Sequence, residues 1–124
     1  MNLYDIRTGF LDFLRAKVPS EVVAMDYLPE DASNGGVSFN MDSFQADSGI
    51  DGMPQYRKAY FEVFVDKLSR RECDEVAEAV MAVQFRESHG IIKGLTVTGF
   101  SDFIRDPANE RFFSSRITFT ALLG

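Results

Sequence analysis

The segment RKAYFEVFVDKLSRRECDEVAEAVMAVQF, residues 57–85, holds a strand that turns almost directly into a helix. Ala59, Phe61, Val63 and Val65 alternate with Tyr60, Glu62, Phe64 and Asp66, which is the two-residue period of a pleated strand. Ser69-Arg70-Arg71-Glu72 then has the form of a capping box. The Ser69 hydroxyl would satisfy an orphan amide of the first helical turn, and Glu72 would reach back toward the cap. Beyond it Cys73, Val76, Ala77, Val80 and Met81 fall on one stripe of an amphipathic helix. One strand and one helix therefore share a core.

Working outward, Leu3, Ile6, Phe10, Phe13 and Leu14 mark a first amphipathic helix from about Asn2 to Lys17, stopped by Pro19. Asp5 in its first turn and Arg15 and Lys17 in its last complement the helix dipole. Gly9 costs that helix about 1 kcal/mol relative to alanine, so close packing or a tolerated defect is expected there. Glu21 to Leu28 reads as a short extended segment ended by Pro29. Glu30 to Gly36 reads as a polar loop whose Asn34-Gly35-Gly36 supplies positive-φ positions. Val37, Phe39 and Met41 alternate with polar residues in a second strand, and Phe44 to Gln55 reads as a Gly- and Asp-rich loop. After the central helix, His89-Gly90 reads as its stop. Leu95 to Ile104 is β-prone with a bulge or bend at Gly99, and Asp106-Pro107-Ala108-Asn109 is a turn. A last strand spans about Arg111 to Leu122. No repeat or linker divides the chain, so residues 1–124 read as a single domain.

This order predicts an α+β fold: an antiparallel or mixed sheet of four to five strands with two helices packed on it. Tyr60 and Phe64 stand opposite the Phe61/Val63 face, and Phe112 and Leu122 stand opposite Ile117 and Phe119. Apolar side chains on both faces of a sheet with two helices call for a second covering layer, such as a neighbouring subunit. The competing arrangements place one helix on each face or curl the sheet on itself.

Composition narrows the function classes. Hydrophobic residues make up 45% of the chain, with twelve Phe, which suits a globular core. A formal charge of −6 argues against binding nucleic acid by phosphate neutralisation, and suits a wall past which DNA slides without sticking. One Cys and one His offer neither an internal disulfide nor a zinc-type ligand set. Cys73, on the apolar stripe, reads as a buried thiol. No basic leader or long apolar run appears, so synthesis in the cytoplasm and no membrane span are expected. Asp47 to Gly52 imitates the start of a calcium loop, but Gly49 stands at position three and Lys58 at position twelve, where a bidentate Glu is needed. His89 has no nucleophile at fixed spacing, and no phosphate-cradling loop is present. No catalytic, metal or cofactor site is therefore expected, and the chain reads as non-enzymatic. Arg105, Arg111 and Arg116 flank the last turn, where they could meet an acidic partner.

The linear pattern does resemble a known family. A helix with Leu3-Tyr4-Asp5-Ile6 is followed by Met25-Asp26-Tyr27-Leu28-Pro29-Glu30, by Ile50-Asp51-Gly52, by a Tyr60-Phe61-Glu62-Val63 strand leading into a helix, and by Phe103-Ile104-Arg105-Asp106 before a closing strand. That order resembles the minor capsid or tail-terminator proteins of long-tailed bacteriophages. It departs from them in carrying Phe85 where a Trp is often found. The resemblance implies a structural virion protein without cofactors that forms a homo-oligomeric ring, a hexamer, at the head-proximal end of the tail. Such a ring caps the tail tube, stops its polymerisation and joins the head-side connector protein, while DNA passes through the lumen without specific binding. The loops 30–36 and 44–55, the second including Asp51 and Gly52, would meet the tail tube protein or a neighbour. Tyr60, Phe64, Phe112, Arg105 and Arg116 complete the expected interface set. Another head–tail joining or tube protein, or a small α+β ligand-binding module using Tyr60, His89 or Arg116, is the alternative.

Overall fold

The computed structural model describes residues 2–48, 54–83, 88–103 and 111–124. Helix α1 (Leu3–Lys17) opens the chain, capped by the Asn2 side chain, which accepts from the Asp5 amide at 2.8 Å. Its apolar stripe buries Ile6, Phe10, Phe13 and Leu14. Strands β1 (Val23–Met25), β2 (Gly36–Ser48) and β3 (Pro54–Lys67) follow, then helix α2 (Arg70–Met81), β4 (Ile92–Phe103) and β5 (Phe113–Leu123). The five strands form one sheet in the order β1-β2-β3-β5-β4. Only β1 and β2 run parallel; the other neighbours are antiparallel. The expected α+β class with a mixed sheet and two helices is the observed one.

Both helices cover the same face. Phe10 of α1 stacks on Phe61 of β3 at 4.0 Å between centroids and 2° between planes, and meets Phe39 and Phe119 edge-on. Cys73, Ala77 and Val80 of α2 join the same buried cluster beside Val63, Val65 and Ile117. The capping contact predicted for α2 is present, with the Ser69 hydroxyl accepting from the Glu72 amide at 3.2 Å. The Lys17 ammonium donates to the Ala82 carbonyl at 2.7 Å and ties the two helix ends together.

Gly9 and Gly35 are among the glycines that mark close approaches. A Cβ on Gly9 would lie 2.8 Å from the His89 carbonyl oxygen, so the weak point in α1 is where the turn before β4 packs against it. Gly35, at φ +80°, leaves room for a Cβ only 1.9 Å from the Asp66 carbonyl oxygen.

Several boundaries differ from the sequence reading. Most of the predicted loop 44–55 is strand, because β2 continues to Ser48 and β3 starts at Pro54. The last β3–β5 pair is Lys58 with Leu122, so this end of the β2–β3 hairpin extends beyond β5. Its β2 residues Asp42 to Ala46 are exposed, and a strand that buries little has no need of the alternation that would reveal it. Helix α2 ends at Met81, where its apolar stripe runs out, and not at His89-Gly90. That pair forms a turn instead, with His89 bridged to Ile92 and Gly90 at φ +63°. The glycine signal was sound; the element it closes is the turn into β4. The predicted bulge at Gly99 is present, with Thr98 as the extra residue opposite Phe119 and Thr118. The expected turn 106–109 lies outside the described residues.

Candidate assembly surface

No described helix lies over the sheet face turned away from α1 and α2, although Ser38, Asp66 and Ser114 at one end of it are buried. Strand register sets its rows: Ser38–Phe64–Arg116–Ser101, then Asn40–Glu62–Thr118, then Ser43–Tyr60–Thr120–Thr96. The face is therefore mainly hydroxyl and amide, with Tyr60 and Phe64 half-buried among them and Leu122 exposed at its margin. The sequence reading expected a more apolar face. Neighbours from three strands, which no single stretch of chain reveals, place threonines and serines around the aromatics.

The alignment of two bulges on this face was not legible in advance, although the one at Gly99 was expected. Strand β2 carries a bulge between Met41 and Ser43, and β4 carries its own between Val97 and Gly99. Both abut one row, Met41–Phe61–Phe119–Val97. Bulges bend a strand and add twist, so the two outer strands bend about the same line. An open recess of about 270 Å³ lies there, lined by Asp42, Ser43, Tyr60, Glu62, Thr98 and Thr118 among others. The Thr98 hydroxyl donates to the Thr118 carbonyl at 3.2 Å and lies 3.1 Å from the Thr118 hydroxyl, which holds the β4 bulge against β5.

Arg116 stands on this face and pairs diagonally with Glu62 at 3.5 Å; both are solvent-accessible, so the pair contributes at most about 1 kcal/mol. Phe112 precedes β5, is half-buried, and has the Arg111 guanidinium 5.2 Å over its ring. It lies just outside the paired strands. Asp51, Gly52 and Arg105 lie outside the described residues. The structure thus brings together Tyr60, Phe64 and Arg116 from the sequence-predicted set, with Phe112 just before β5.

The polar groups elsewhere serve packing. Arg70 reaches from the start of α2 to Asp102 at 3.0 Å and to the Ser115 hydroxyl at 3.2 Å, with Phe113 5.4 Å beneath it. Cys73 is buried, its thiol donating to the Val65 carbonyl at 3.5 Å, and burial pushes its pKa upward despite the Ser115 hydroxyl and Arg70 nearby. The Ser114 hydroxyl donates to the buried Asp66 carboxylate, and Lys67 binds Glu21 at 2.7 Å. Among the described residues no group of three His, Cys, Asp or Glu is placed to hold a metal ion. No described helix is long and apolar enough to cross a membrane. His89 lies edge-on to Phe13 at 5.3 Å, a packing role at the foot of α1.

Among solved structures, this chain matches one from the virion of a native gene transfer agent particle, with a TM-score of 0.52 and 18% sequence identity. The match covers 89% of this chain and 83% of that one. The chain shares its fold with part of a virion. Searches against protein-family models and against characterised proteins gave no match.

Proposed function

We propose that this protein is a structural component of a phage-type virion, and within it the tail terminator: a ring that caps the tail tube, halts its polymerisation and joins it to the head connector. The observation carrying the virion reading is the shared fold with a gene transfer agent virion chain, which extends over 89% of this chain. The terminator role rests on the order of segments that resembles tail terminators, from Leu3-Tyr4-Asp5-Ile6 to Phe103-Ile104-Arg105-Asp106. The role asks for surfaces rather than chemistry, so the protein is taken as non-enzymatic. The sheet face centred on Tyr60, Phe64 and Arg116, over which no described helix lies, is the proposed contact surface, with Phe112, Asp51, Gly52 and Arg105 as further proposed contacts. A charge of −6 suits a lumen through which DNA passes without being held.

The test is the tail made by particles lacking this protein. Overlong tubes of variable length support a terminator. Absence of tubes identifies a tube subunit instead, and normal-length tails left unjoined to full heads identify a joining protein.

A further inference from the structure

We infer that copies of this protein join edge to edge, with β4 of one subunit adding as a strand beside β2 of the next, so that the sheets run on continuously from subunit to subunit. This deepens the ring reading above and rests on its self-assembly part.

Among the described residues β4 is an edge strand, pairing with β5 alone. From Thr96 to Asp102 each of its residues is exposed or half-exposed. No charge and no proline lies between Lys93 and Asp102, so within that stretch the Thr98 bulge is the edge guard that the described residues show; a second register shift lies at Lys93. At the other border β1 shields β2 only over Val37 to Phe39, after which the chain turns away at Asp26, φ 65°. From Asn40 onward β2 has a neighbouring strand on one side only, among the described residues. The sheet therefore offers two open borders, each with a stretch of about seven residues or about 23 Å of ladder.

A second copy fits these borders for three reasons. Strand directions alternate from β2 through β3 and β5 to β4, so β2 and β4 run in opposite directions. A neighbour set beside this sheet in the same orientation then presents its β2 antiparallel to β4, the more stable pairing. One bulge of each border strand, at Asp42 and at Thr98, abuts the same row, so the borders bend alike at that level. Charge does not oppose the join, because Asp42 on the β2 border meets the uncharged stretch between Lys93 and Asp102. The two borders are different surfaces, so the contact is head-to-tail and closes into a ring when its rotation permits.

The full-length protein carrying Ser43→Cys together with Thr96→Cys, Thr98→Cys or Ser101→Cys in turn, to cover the register, tests this under mild oxidation. At least one pair is expected to give a ladder of covalently linked copies ending at the ring size, while each single variant stays unlinked. Phe100→Lys, which adds an edge charge, is expected to shift the native mass from the ring to the 14.0 kDa subunit with unchanged circular dichroism. If that variant unfolds, the cysteine ladder decides. A wild-type ring with no ladder from any pair, and a Phe100→Lys ring still intact, overturns the edge join and leaves the ring standing. Dimers from Ser101→Cys alone indicate β4 pairing with itself, which also overturns it. A wild-type protein that stays at subunit mass at every concentration overturns the edge join and the ring together.

Discussion

Replacing Phe10 with alanine probes the joint on which both helices and the sheet depend. Phe10 is fully buried, stacked on Phe61 at 4.0 Å, and within 5.6 Å of Phe13, Phe39 and Phe119 by ring centroid. Truncating a buried Phe costs about 3–5 kcal/mol through lost transfer energy and the cavity left behind. Contact with four rings places this site at the upper end, about 4–5 kcal/mol, since each well-oriented aromatic pair adds roughly 0.5–1.5 kcal/mol beyond area. A domain of this size has about 5–15 kcal/mol in total. Average unfolding entropies convert the loss to about 4 °C of melting temperature per kcal/mol, so a drop of roughly 15–20 °C is expected. Circular dichroism against temperature and urea measures it. Phe10→Leu combined with Phe61→Leu in a double-mutant cycle should return about 0.5–1.5 kcal/mol of coupling for the stacked pair. A loss below about 1 kcal/mol for Phe10→Ala would mean that α1 does not lie on the β3–β5 pair as described.

Three further outcomes are expected. Tyr60→Asp and Phe64→Asp should disturb assembly more than folding of the subunit, read by sedimentation and circular dichroism; unfolded subunits would show that these rings belong to a closed core. Gly35→Ala should destabilise by more than about 1 kcal/mol, because its φ disfavours a side chain and the new Cβ would collide with the Asp66 carbonyl; a melting temperature equal to wild type would rule out that approach. The Cys73 thiol has its pKa raised above 9.0 by burial, so folding stability should hold below pH 9 and fall as pH rises beyond it, where the unfolded chain releases a proton the folded one retains. Urea midpoints that do not decline between pH 8 and pH 10 relative to Cys73→Ala would contradict this, and native Cys73 should resist alkylation until the protein unfolds.

The elements legible in advance are those with a face to bury. The 3-4 spacing of Ile6, Phe10, Phe13 and Leu14, the alternation from Ala59 to Val65 and the Ser69 cap each encode local geometry and core contact together, and each is found as read. Gly99 disclosed the β4 bulge because a glycine inside a β-prone run has few other uses. Where a segment has little apolar surface to bury, the signal fades: residues 44–48 read as loop, although they pair along β3. The Asp42 bulge has no glycine to announce it and appears only in the register of two paired strands.

The candidate surface divides along the same line. That Tyr60 and Phe64 oppose the core follows from period alone, since alternate residues of a strand must point to opposite faces. What surrounds them depends on strand order, and β3 lies between β2 and β5 rather than beside β4. That order follows from α2 carrying the chain across the sheet before β4 returns beside β5, a choice made by how the helices share one apolar face. By itself the chain of residues thus determined which side chains must be dry, because burial is a property each stretch encodes locally. Which of the remaining ones stand together, and which two borders are left open, was decided by the packing of segments distant in sequence, because pairing partners in a sheet are chosen by the whole core and not by any strand alone.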